Sequence, residues 1–572
     1  MVSLNQSIIE IKDVHYQYPG APDPVLNGAS LTINKGDFLA IIGGNGSGKS
    51  TICKTINGLI PHYFSGDYEG EVLVNGLSVK EQPVSILSHH VGYVYQDFQN
   101  QLMKLTVLED VGFAPLNFGY PDYEEKAMWA LELLGIEHLK DKTVWELSGG
   151  QQHLTALAGA LALNPEVLII DEPVAQLDPQ HATLIYDKLK HLNEELGKTI
   201  IVIEHHTEFI ANYCKHVALI EKGKVKWHTD VKQGLLNITE LEEVHIYPPQ
   251  VTQAALQIAH FSDADELPIT VEEAKDYFNG YFFHPGTNSH QANLHASHSA
   301  ILSIKDVQYE VKTLQKERRT VLDIDALTFF EGERVAIVGN NGAGKTTLMK
   351  SLAGIIKPRK GEIIVDNIDV KRAPVEKLSS HISYIYQNPE EMFIQDTIYN
   401  DVTYFGSVRN LEQNERYEQI ADQLDMRDLF PKDGRLLSGG QQRRSSVAIG
   451  LAMMPTVMML DEPTASLDVG NRKQLIRILH SIRDRVKTVL IATHDMQLVS
   501  EWATRVIVME HGIVVFDGTP RALFERVEIW KSAGLKLPQI TELSLELNIH
   551  PALSVEEFVA RVKEVQLNGA NG

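Results

Sequence analysis

Two glycine-rich segments of the chain have the residue types and the spacing that bind phosphate. They are GGNGSGKS, from Gly43 to Ser50, and GNNGAGKT, from Gly339 to Thr346. Both fit the pattern G-x-x-x-x-G-K-[ST], whose glycines let consecutive backbone N–H groups turn inward around a polyphosphate. The lysine of such a loop reaches the β- and γ-phosphates, and its final hydroxyl ligates Mg²⁺. The sequence therefore predicts two nucleotide sites with bound Mg²⁺.

Each loop offers a set of phosphate contacts that includes the threonine after its last residue. We expect the nucleotide to contact Gly43, Asn45, Gly46, Ser47, Gly48, Lys49, Ser50 and Thr51 in the first copy, and Gly339, Asn341, Gly342, Ala343, Gly344, Lys345, Thr346 and Thr347 in the second. The hydroxyls of Ser50 and Thr346 are the expected Mg²⁺ ligands.

Paired carboxylates follow two apolar runs, VLIIDEP from Val167 and VMMLDE from Val457. Such runs are typical of buried strands, whose ends meet at one edge of a parallel sheet. We expect Asp171 and Asp461 to complete the Mg²⁺ shell. The adjacent glutamates, Glu172 and Glu462, are placed to polarise a water for phosphoryl transfer.

Amide, histidine and glycine motifs accompany both copies. Gln96 and Gln387 end strand-like segments, where an amide can ligate Mg²⁺ or orient a water, and KTIIVIEHH predicts a strand that ends in His205 and His206. LSGGQ opens a helix in each copy, and a helix start with free N–H groups favours anions. The expected contacts there are Ser148, Gly149 and Gly150, and Ser438, Gly439 and Gly440; the family resemblance described below adds Gln151 and Gln441.

The elements that must position these residues can be predicted from hydrophobic patterning. Each phosphate loop follows a short apolar run (Phe38 to Ile42; Val335 to Val338) and precedes a helix-compatible stretch. SIIEIKDVHYQY alternates as a half-buried strand does, Asn34 to Asp37 predict a turn, and EGEVLVNGLSV and HVGYVYQ are predicted strands. Ser445 to Leu460 predict a buried helix followed by a buried strand.

The motifs recur at a nearly constant spacing along the chain of 572 residues. The phosphate loops lie 296 residues apart, the two glutamines 291 and the LSGGQ serines 290. The chain is therefore a duplicated unit of about 290 residues rather than a short-period repeat. We predict domains at 1–240 and 300–520, C-terminal extensions at 241–283 and 521–572, and a flexible linker at 284–299. The linker histidines (His284, His290, His295, His298) have irregular spacing, which favours a spacer over a metal site.

Composition excludes several classes of protein. The net charge of −23, from 52 basic and 75 acidic residues, disfavours nucleic acid as the main partner. Two cysteines give neither a disulfide framework nor a metal cluster. The amino terminus has no signal-peptide pattern, and the longest weakly polar run is shorter than the ~20 apolar residues that span a bilayer. We therefore predict no membrane-spanning segment.

In order and spacing these motifs resemble the nucleotide-binding domains of ABC ATPases. The resemblance implies an α/β fold with two tandem P-loop NTPase domains, each with a RecA-like core, an antiparallel β subdomain and a helical subdomain. It implies ATP as ligand and hydrolysis as activity. Tyr16, Tyr18 or both could stack on an adenine by their position in a strand, and the resemblance selects Tyr18. It also makes His205 and His494, each seven residues after a lysine, the γ-phosphate contacts.

The second copy departs from the family pattern at Val311, which aligns with Tyr18, and the first has QLD (Gln176 to Asp178) where the second has SLD (Ser466 to Asp468). In the family two domains close head to tail, each LSGGQ capping the other's phosphate loop. The duplication therefore implies an intramolecular pair with two composite sites, held shut by ATP and released by hydrolysis.

The segment YVYQDFQNQLMKLTVLEDVGFAPLNFG, from Tyr93 to Gly119, resembles the energy-coupling-factor (ECF) importer ATPases, although Phe98 and Gln99 replace the usual Pro-Glu. That resemblance implies a peripheral protein at the cytoplasmic face of the cell membrane, with an integral coupling (T) subunit and a substrate-binding (S) subunit as partners. The imported solute would be a vitamin, a vitamin precursor or a metal ion. The alternatives are the fused ATPase of a sugar or peptide transporter, and a soluble tandem ABC protein that acts on ribosomes or DNA.

Overall fold

The computed structural model describes residues 6–174, 177–258, 266–284, 299–312, 318–410, 414–465 and 467–562. The chain divides into two compact units, Met1–Tyr277 and Phe278–Gly572. Each unit contains a four-stranded antiparallel sheet and a six-stranded, largely parallel sheet.

The strands of the first unit are β1 (Ser7–Gln17), β2 (Leu26–Asn34), β3 (Phe38–Ile42), β4 (Asp67–Val74), β5 (Leu77–Ser78), β6 (Val91–Val94), β7 (Val167–Asp171), β8 (Thr199–Ile203), β9 (His216–Glu221) and β10 (Lys224–Asp230). Its helices are α1 (Lys49–Ile56), α2 (Leu59–His62), α3 (Val84–Leu87), α4 (Val107–Val111), α5 (Phe113–Asn117), α6 (Tyr123–Leu134), α7 (Gly149–Leu161), α8 (Pro179–Glu194), α9 (Thr207–Tyr213), α10 (Val231–Leu235), α11 (Ile238–Glu243), α12 (Gln250–Ile258) and α13 (Val271–Tyr277). The antiparallel sheet has the order β2-β1-β4-β5, and the larger sheet the order β10-β9-β3-β8-β7-β6.

The strands of the second unit are β11 (Ala300–Lys312), β12 (Arg318–Phe330), β13 (Arg334–Val338), β14 (Lys360–Val365), β15 (Ile368–Asp369), β16 (Ile382–Ile385), β17 (Val457–Asp461), β18 (Thr488–Thr493), β19 (Arg505–Glu510) and β20 (Ile513–Gly518). Its helices are α14 (Lys345–Leu352), α15 (Val375–Leu378), α16 (Ile398–Val408), α17 (Asn414–Gln423), α18 (Gly439–Ala452), α19 (Val469–Ser481), α20 (Met496–Trp502), α21 (Pro520–Phe524), α22 (Val527–Ser532), α23 (Gln539–Glu546) and α24 (Val555–Arg561). The sheet orders repeat those of the first unit, with β12-β11-β14-β15 and β16-β17-β18-β13-β19-β20.

The central strand β3 is buried along its whole length because both faces of its sheet are covered. Phe38, Ala40 and Ile42 face a core built largely of helices. Leu39 and Ile41 face the other core, which includes residues of the antiparallel sheet. A strand buried on both faces needs a continuous apolar run, as FLAII provides. This packing fixes the end of β3, from which the phosphate loop leaves.

The predicted α/β architecture is confirmed in both units, and so are the turn at Asn34 to Asp37 and the helix and strand between Ser445 and Leu460, which are α18 and β17. The prediction of one strand over EGEVLVNGLSV is wrong. Asn75 and Gly76 have φ of 50° and 77° and form a tight turn between β4 and β5. Asn-Gly is the pair that adopts such a turn most readily.

Residues at the two ends of the second unit lie together. The backbone N–H of His284 donates to the carbonyl of Arg561 at 2.8 Å, and Phe283 forms a bridge with Val562. His290, His295 and His298 of the predicted linker lie outside the described residues. Within the described ranges, the helices are all too short or too polar to cross a bilayer.

Candidate nucleotide-binding sites

The first phosphate loop joins the buried end of β3 to α1. Gly43 has φ of 151°, and a Cβ there would lie 2.2 Å from the carbonyl oxygen of Ile220, so the position requires glycine. Lys49 Nζ donates to the carbonyls of Gly43 at 2.9 Å and Gly44 at 3.0 Å. The lysine therefore lies across the loop whose backbone is predicted to hold phosphate.

The second phosphate loop repeats this geometry between β13 and α14. A Cβ on Gly339 would lie 2.3 Å from the carbonyl oxygen of Met509. Lys345 Nζ donates to the carbonyl of Gly339 at 2.7 Å and lies 3.4 Å from Glu462 Oε1. The second lysine therefore contacts a predicted catalytic carboxylate.

The strand-end aspartates lie beside the loop hydroxyls. Burial raises the pKa of Asp171, and hydrogen bonding from Ser50 opposes this. Burial likewise raises the pKa of Asp461, against hydrogen bonds from Tyr384 and Thr346. Hydroxyl and carboxylate oxygens are the hard donors that Mg²⁺ prefers. The donor set therefore fits Mg²⁺, which would be held by Ser50 with Asp171 and by Thr346 with Asp461 and would neutralise phosphate charge.

Two tyrosines support these aspartates and were not identified from the sequence. Tyr93 OH donates to Asp171 Oδ2 at 3.3 Å, and Tyr384 OH donates to Asp461 Oδ2 at 2.7 Å. Burial raises the pKa of both phenols far above the usual range, so they remain donors. These tyrosines could have been found from the repeated segments YVYQ and YIYQ, in which each tyrosine lies three residues before Gln96 or Gln387.

Glu172, Gln96 and His205 come together at the carboxyl end of the first parallel sheet. Gln96 Nε2 donates to Glu172 Oε2 at 2.6 Å, and His205 Nε2 lies 3.2 Å from Glu172 Oε1. Strand β6 ends at Val94, so Gln96 lies in the loop beyond the strand rather than in its last position. An amide and an imidazole thus bracket the predicted water-polarising carboxylate.

Glu462 has different partners in the second unit. His494 Nδ1 lies 3.1 Å from Glu462 Oε2, and the His494 backbone N–H donates to the same oxygen at 3.3 Å. Burial alone would raise the pKa of Glu462, but His494 and Lys345 outweigh it and lower that pKa to about 2. Burial opposes protonation of His494, yet Glu462 raises the pKa of the imidazole overall. This glutamate is held as a buried carboxylate, whereas Gln387 is exposed.

The LSGGQ segments form the capped starts of α7 and α18. Ser148 and Gln151 make a reciprocal capping box, as do Ser438 and Gln441. A Cβ on Gly150 would lie 2.2 Å from His181 Cδ2, and one on Gly440 would lie 2.1 Å from Asn471 Oδ1, so a side chain at either position would displace its neighbour.

Asp178 and Asp468 cap the neighbouring helices α8 and α19, whose first turns carry His181 and Asn471. Gln176 and Ser466, the first residues of the QLD and SLD motifs, lie outside the described residues. The signature segment and the following aspartate are thus packed together within each unit.

The signature helices are tied to the glutamine loops through Arg443 and His153, two residues that the sequence motifs did not identify. Arg443 Nη1 donates to the carbonyl of Tyr386 at 2.9 Å, and its Nη2 donates to that of Gln387 at 2.7 Å. Burial lowers the pKa of Arg443 to about 10. His153 occupies the matching position in α7 and stacks on Phe98 with ring centroids 4.6 Å apart. Burial lowers the pKa of His153 to about 4, so this imidazole is neutral.

Of the two tyrosines considered for adenine stacking, Tyr16 is fully buried in the core, whereas Tyr18 is partly exposed. Tyr18 packs edge-on against Tyr16 at 4.8 Å. Tyr16 pairs with Leu26, and Leu26 approaches Gly48 of the phosphate loop. Tyr18 is therefore linked to that loop through Tyr16 and Leu26. Val311, which aligns with Tyr18, is exposed in the second unit.

Residues 26–175 and 322–465 match the family described as ABC transporter. An ABC transporter ATP-binding protein of Caldanaerobacter subterraneus subsp. tengcongensis is 34% identical over 575 residues, covering 98% of this chain and 100% of that protein. One from Methanosarcina acetivorans is 31% identical over 559 residues, covering 94% and 90%. A solved RNase-L inhibitor covers 95% of this chain and 100% of its own with a TM-score of 0.59, and at 19% identity this likeness concerns the fold alone.

Proposed function

Because the chain belongs to the ABC transporter family and is an ATPase with two tandem ATP-binding domains, we propose that it energises an importer of the ECF type. A membrane coupling (T) subunit would recruit it to the cytoplasmic face of the membrane. A separate substrate-binding (S) subunit would choose the solute, a vitamin, a vitamin precursor or a metal ion. The observation that supports this proposal is an exposed apolar surface after the glutamine of each unit.

In the first unit this surface consists of Met103, Leu105 and Trp145, which we name the first coupling surface. Met103 is 63% exposed and Trp145 is 70% exposed. Thr106 bridges Thr143, and the Val144 N–H donates to the Leu105 carbonyl at 3.0 Å, so the two segments are adjacent. Three large apolar side chains are thus presented on hydrogen-bonded backbone.

The second unit repeats the arrangement with Ile394 and Leu436, the second coupling surface. Ile394 is 62% exposed and Leu436 is 85% exposed. Asp401 Oδ1 accepts from the amides of Ile394 and Gln395, both at 2.9 Å. Asp110 Oδ1 holds Met103 and Lys104 in the same way, at 2.7 and 2.8 Å. The two loops are therefore built alike, although their apolar residues differ.

Large apolar side chains held in water on an ordered backbone mark protein-interaction sites. Binding of the apolar face of an amphipathic helix to an apolar surface is a common mode of protein recognition. A cytoplasmic helix of a membrane subunit would fit each surface. The fused ATPases of sugar or peptide transporters would have the same ATP-site motifs, so these motifs do not distinguish the two classes. The resemblance of the segment from Tyr93 to Gly119 to ECF ATPases favours the ECF interpretation.

The chemistry proposed for the sites follows their geometry. The phosphate loops would hold the triphosphate, and Glu172 and Glu462 would polarise the attacking water. Gln96, Gln387, His205 and His494 would orient that water and the γ-phosphate. Mg²⁺ would supply charge neutralisation at the transferring phosphoryl group. Each site would be completed by the LSGGQ segment of the other unit, as the family resemblance implies.

The experiment is coexpression of the chain with candidate T and S subunits, followed by membrane sedimentation and identification of the bound proteins. We expect the wild type to sediment with membranes, and Met103→Asp combined with Ile394→Asp to remain in the supernatant with its ATPase activity intact. Leu196→Asp, at an exposed apolar position outside both surfaces, is the matched control and should behave as wild type. Membrane-independent, salt-sensitive cosedimentation with ribosomes, as phosphate-backbone binding produces, would instead favour the soluble class.

A further inference from the structure

Three side chains that can ligate metal meet at the end of the first parallel sheet opposite the phosphate loop. Asp37 precedes β3, His216 begins β9 and His228 lies in β10. One candidate ligand atom from each lies within 4.8 Å of the others. The phosphate loop leaves the other end of β3, so this cluster is separate from the ATP site.

The cluster contains buried polar atoms without partners. His216 Nδ1 lies 2.7 Å from Asp37 Oδ1. Asp37 is 4% exposed, and among the described residues its Oδ2 finds no hydrogen-bond partner. The same holds for His228 Nε2 within the described part of the chain. An unpaired buried carboxylate oxygen is costly, because burial removes its hydration without replacing it.

The second unit shows what this position in the fold requires. Glu333, Arg505 and Asp517 occupy the places of Asp37, His216 and His228 in the matching strands. Arg505 is 3% exposed, and its guanidinium lies 3.0 Å from Glu333 Oε2 and 2.6 Å from Asp517 Oδ2. A buried cation therefore joins the starts of β13 and β19 to β20. The planar guanidinium fork suits two carboxylates at once.

His216 stands at the position of Arg505, and its imidazole cannot donate to two carboxylates as the guanidinium does. His228 stands at the position of the second carboxylate, Asp517. All three residues of the first unit are ligands that zinc accepts. We propose that Asp37, His216 and His228 bind a divalent transition metal ion, zinc in preference to Mg²⁺, which replaces the guanidinium cation of the second unit.

Zinc–nitrogen and zinc–oxygen bonds of about 2.1 Å place tetrahedral ligands about 3.4 Å apart. The candidate atoms lie within 4.8 Å of one another, so each pair would need to approach by at most about 1.4 Å to reach that spacing. The His216 side chain is 41% exposed, which leaves a fourth position open to water or to an external ligand. The metal would clamp the β9–β10 hairpin to the start of β3.

The test uses the full chain, treated with chelator and free of nucleotide, titrated with Zn²⁺ by calorimetry. Co²⁺ provides a second readout, because its visible absorption reports imidazole and carboxylate ligation. We expect one tight Zn²⁺ equivalent that depends on the cluster. His228→Gln should raise its Kd at least about tenfold and weaken the Co²⁺ bands. His138→Gln, which removes an exposed histidine elsewhere, is the control, and the other histidines contribute equally to every variant.

The second unit provides the template for a variant that should fold without the metal. Asp37→Glu, His216→Arg and His228→Asp together install the triad of the second unit, and this variant should lose the tight Zn²⁺ equivalent while keeping its ATPase activity. The proposal is wrong if the triple variant and His228→Gln both bind the same number of tight Zn²⁺ ions as the wild type. It is also wrong if the Co²⁺ spectrum does not change between wild type and His228→Gln.

Discussion

Glu172 and Glu462 share a strained backbone conformation but have different partners. Their φ angles are 51° and 43°, in the left-handed region that non-glycine residues rarely occupy. Such strain costs about 1–3 kcal/mol and persists mainly at functional sites. Glu172 contacts Gln96 and His205, whereas Glu462 contacts His494 and Lys345. The two glutamates therefore have the same backbone conformation, and the packing of the surrounding side chains determines which residues each carboxylate contacts.

We expect Glu172→Gln and Glu462→Gln each to reduce turnover at its own site by roughly 10²- to 10⁴-fold while ATP still binds, because the amide keeps the shape and removes the base. Single-turnover hydrolysis and equilibrium binding would separate the two effects. Glu137→Gln, an exposed surface change, is the control. A double Glu172→Gln, Glu462→Gln variant with wild-type turnover would contradict the assignment.

The pair of Glu462 and His494 should make stability depend on pH. The pKa of Glu462 falls from 4.5 to about 2, so its contribution is full above pH 4.5 and is lost as pH falls toward 2. The pKa of His494 is raised above 6.5, so its contribution is full below pH 6.5 and is lost as pH rises through the folded value. Thermal unfolding of wild type and Glu462→Gln should therefore differ most between about pH 4.5 and 6.5. A difference that stays constant from acid to alkaline pH would disprove this coupling.

At the scale of elements, the two signature helices are anchored to the glutamine loops by different chemistry. Arg443 binds two backbone carbonyls of the loop before Pro389, whereas His153 stacks on Phe98, the residue that replaces this proline in the first unit. The departure at Phe98 is therefore matched by a change in α7. Hydrogen bonds from a buried cation are stronger and more directional than a ring contact.

This difference predicts unequal effects of one substitution in the two helices. Arg443→Leu leaves two carbonyls without donors and should destabilise the second unit by about 1–3 kcal/mol. His153→Leu removes a stack worth about 0.5–1.5 kcal/mol but also removes a buried ring nitrogen that lacks a partner among the described residues. Its net cost should therefore be smaller. Denaturant unfolding of the two variants, followed by fluorescence, would compare them, and equal losses would show that the anchors are equivalent.

At the scale of the whole molecule, one fold occurs twice and carries two inequivalent sites. The sheet orders and the capping boxes match, but the first unit has a partly exposed Tyr18 where the second unit has Val311. Stacking of an aromatic ring on a base contributes about 1–3 kcal/mol, and each 1.4 kcal/mol changes affinity about tenfold. The second site should bind ATP about five- to hundredfold more weakly.

Lys49→Ala and Lys345→Ala would isolate the second and the first site, respectively. Nucleotide binding to each variant would be measured with ATP and with a triphosphate that carries a smaller base. The variant that retains the first site should bind ATP more tightly and discriminate better between bases, and Tyr18→Ala should remove that advantage. Equal affinities and equal discrimination would show that the adenine is held in another way.

The duplicated α/β units, the two phosphate loops and the strand-end carboxylates could all be predicted from the sequence. These features depend on residues close together in the chain: Gly43 is required by the turn that follows β3, and the apolar run before Asp171 predicts the strand that ends there. The adenine-stacking role of Tyr18 came from the family resemblance and stays a prediction. The apolar pattern did not separate the hairpin at Asn75 and Gly76 from a single strand. There, local turn chemistry overrode the apolar pattern.

Contacts between residues far apart in the chain could not be predicted in this way. Asp37 and His216 are 179 positions apart in the chain, and no periodicity links them. Strand order places β9 beside β3 and β10 beside β9, and this order brings Asp37, His216 and His228 together. In the same way, packing of α18 against the loop after β16 gives Arg443 its carbonyl partners. Such contacts depend on long-range sheet order and side-chain direction, which hydrophobic patterns and local motifs do not encode.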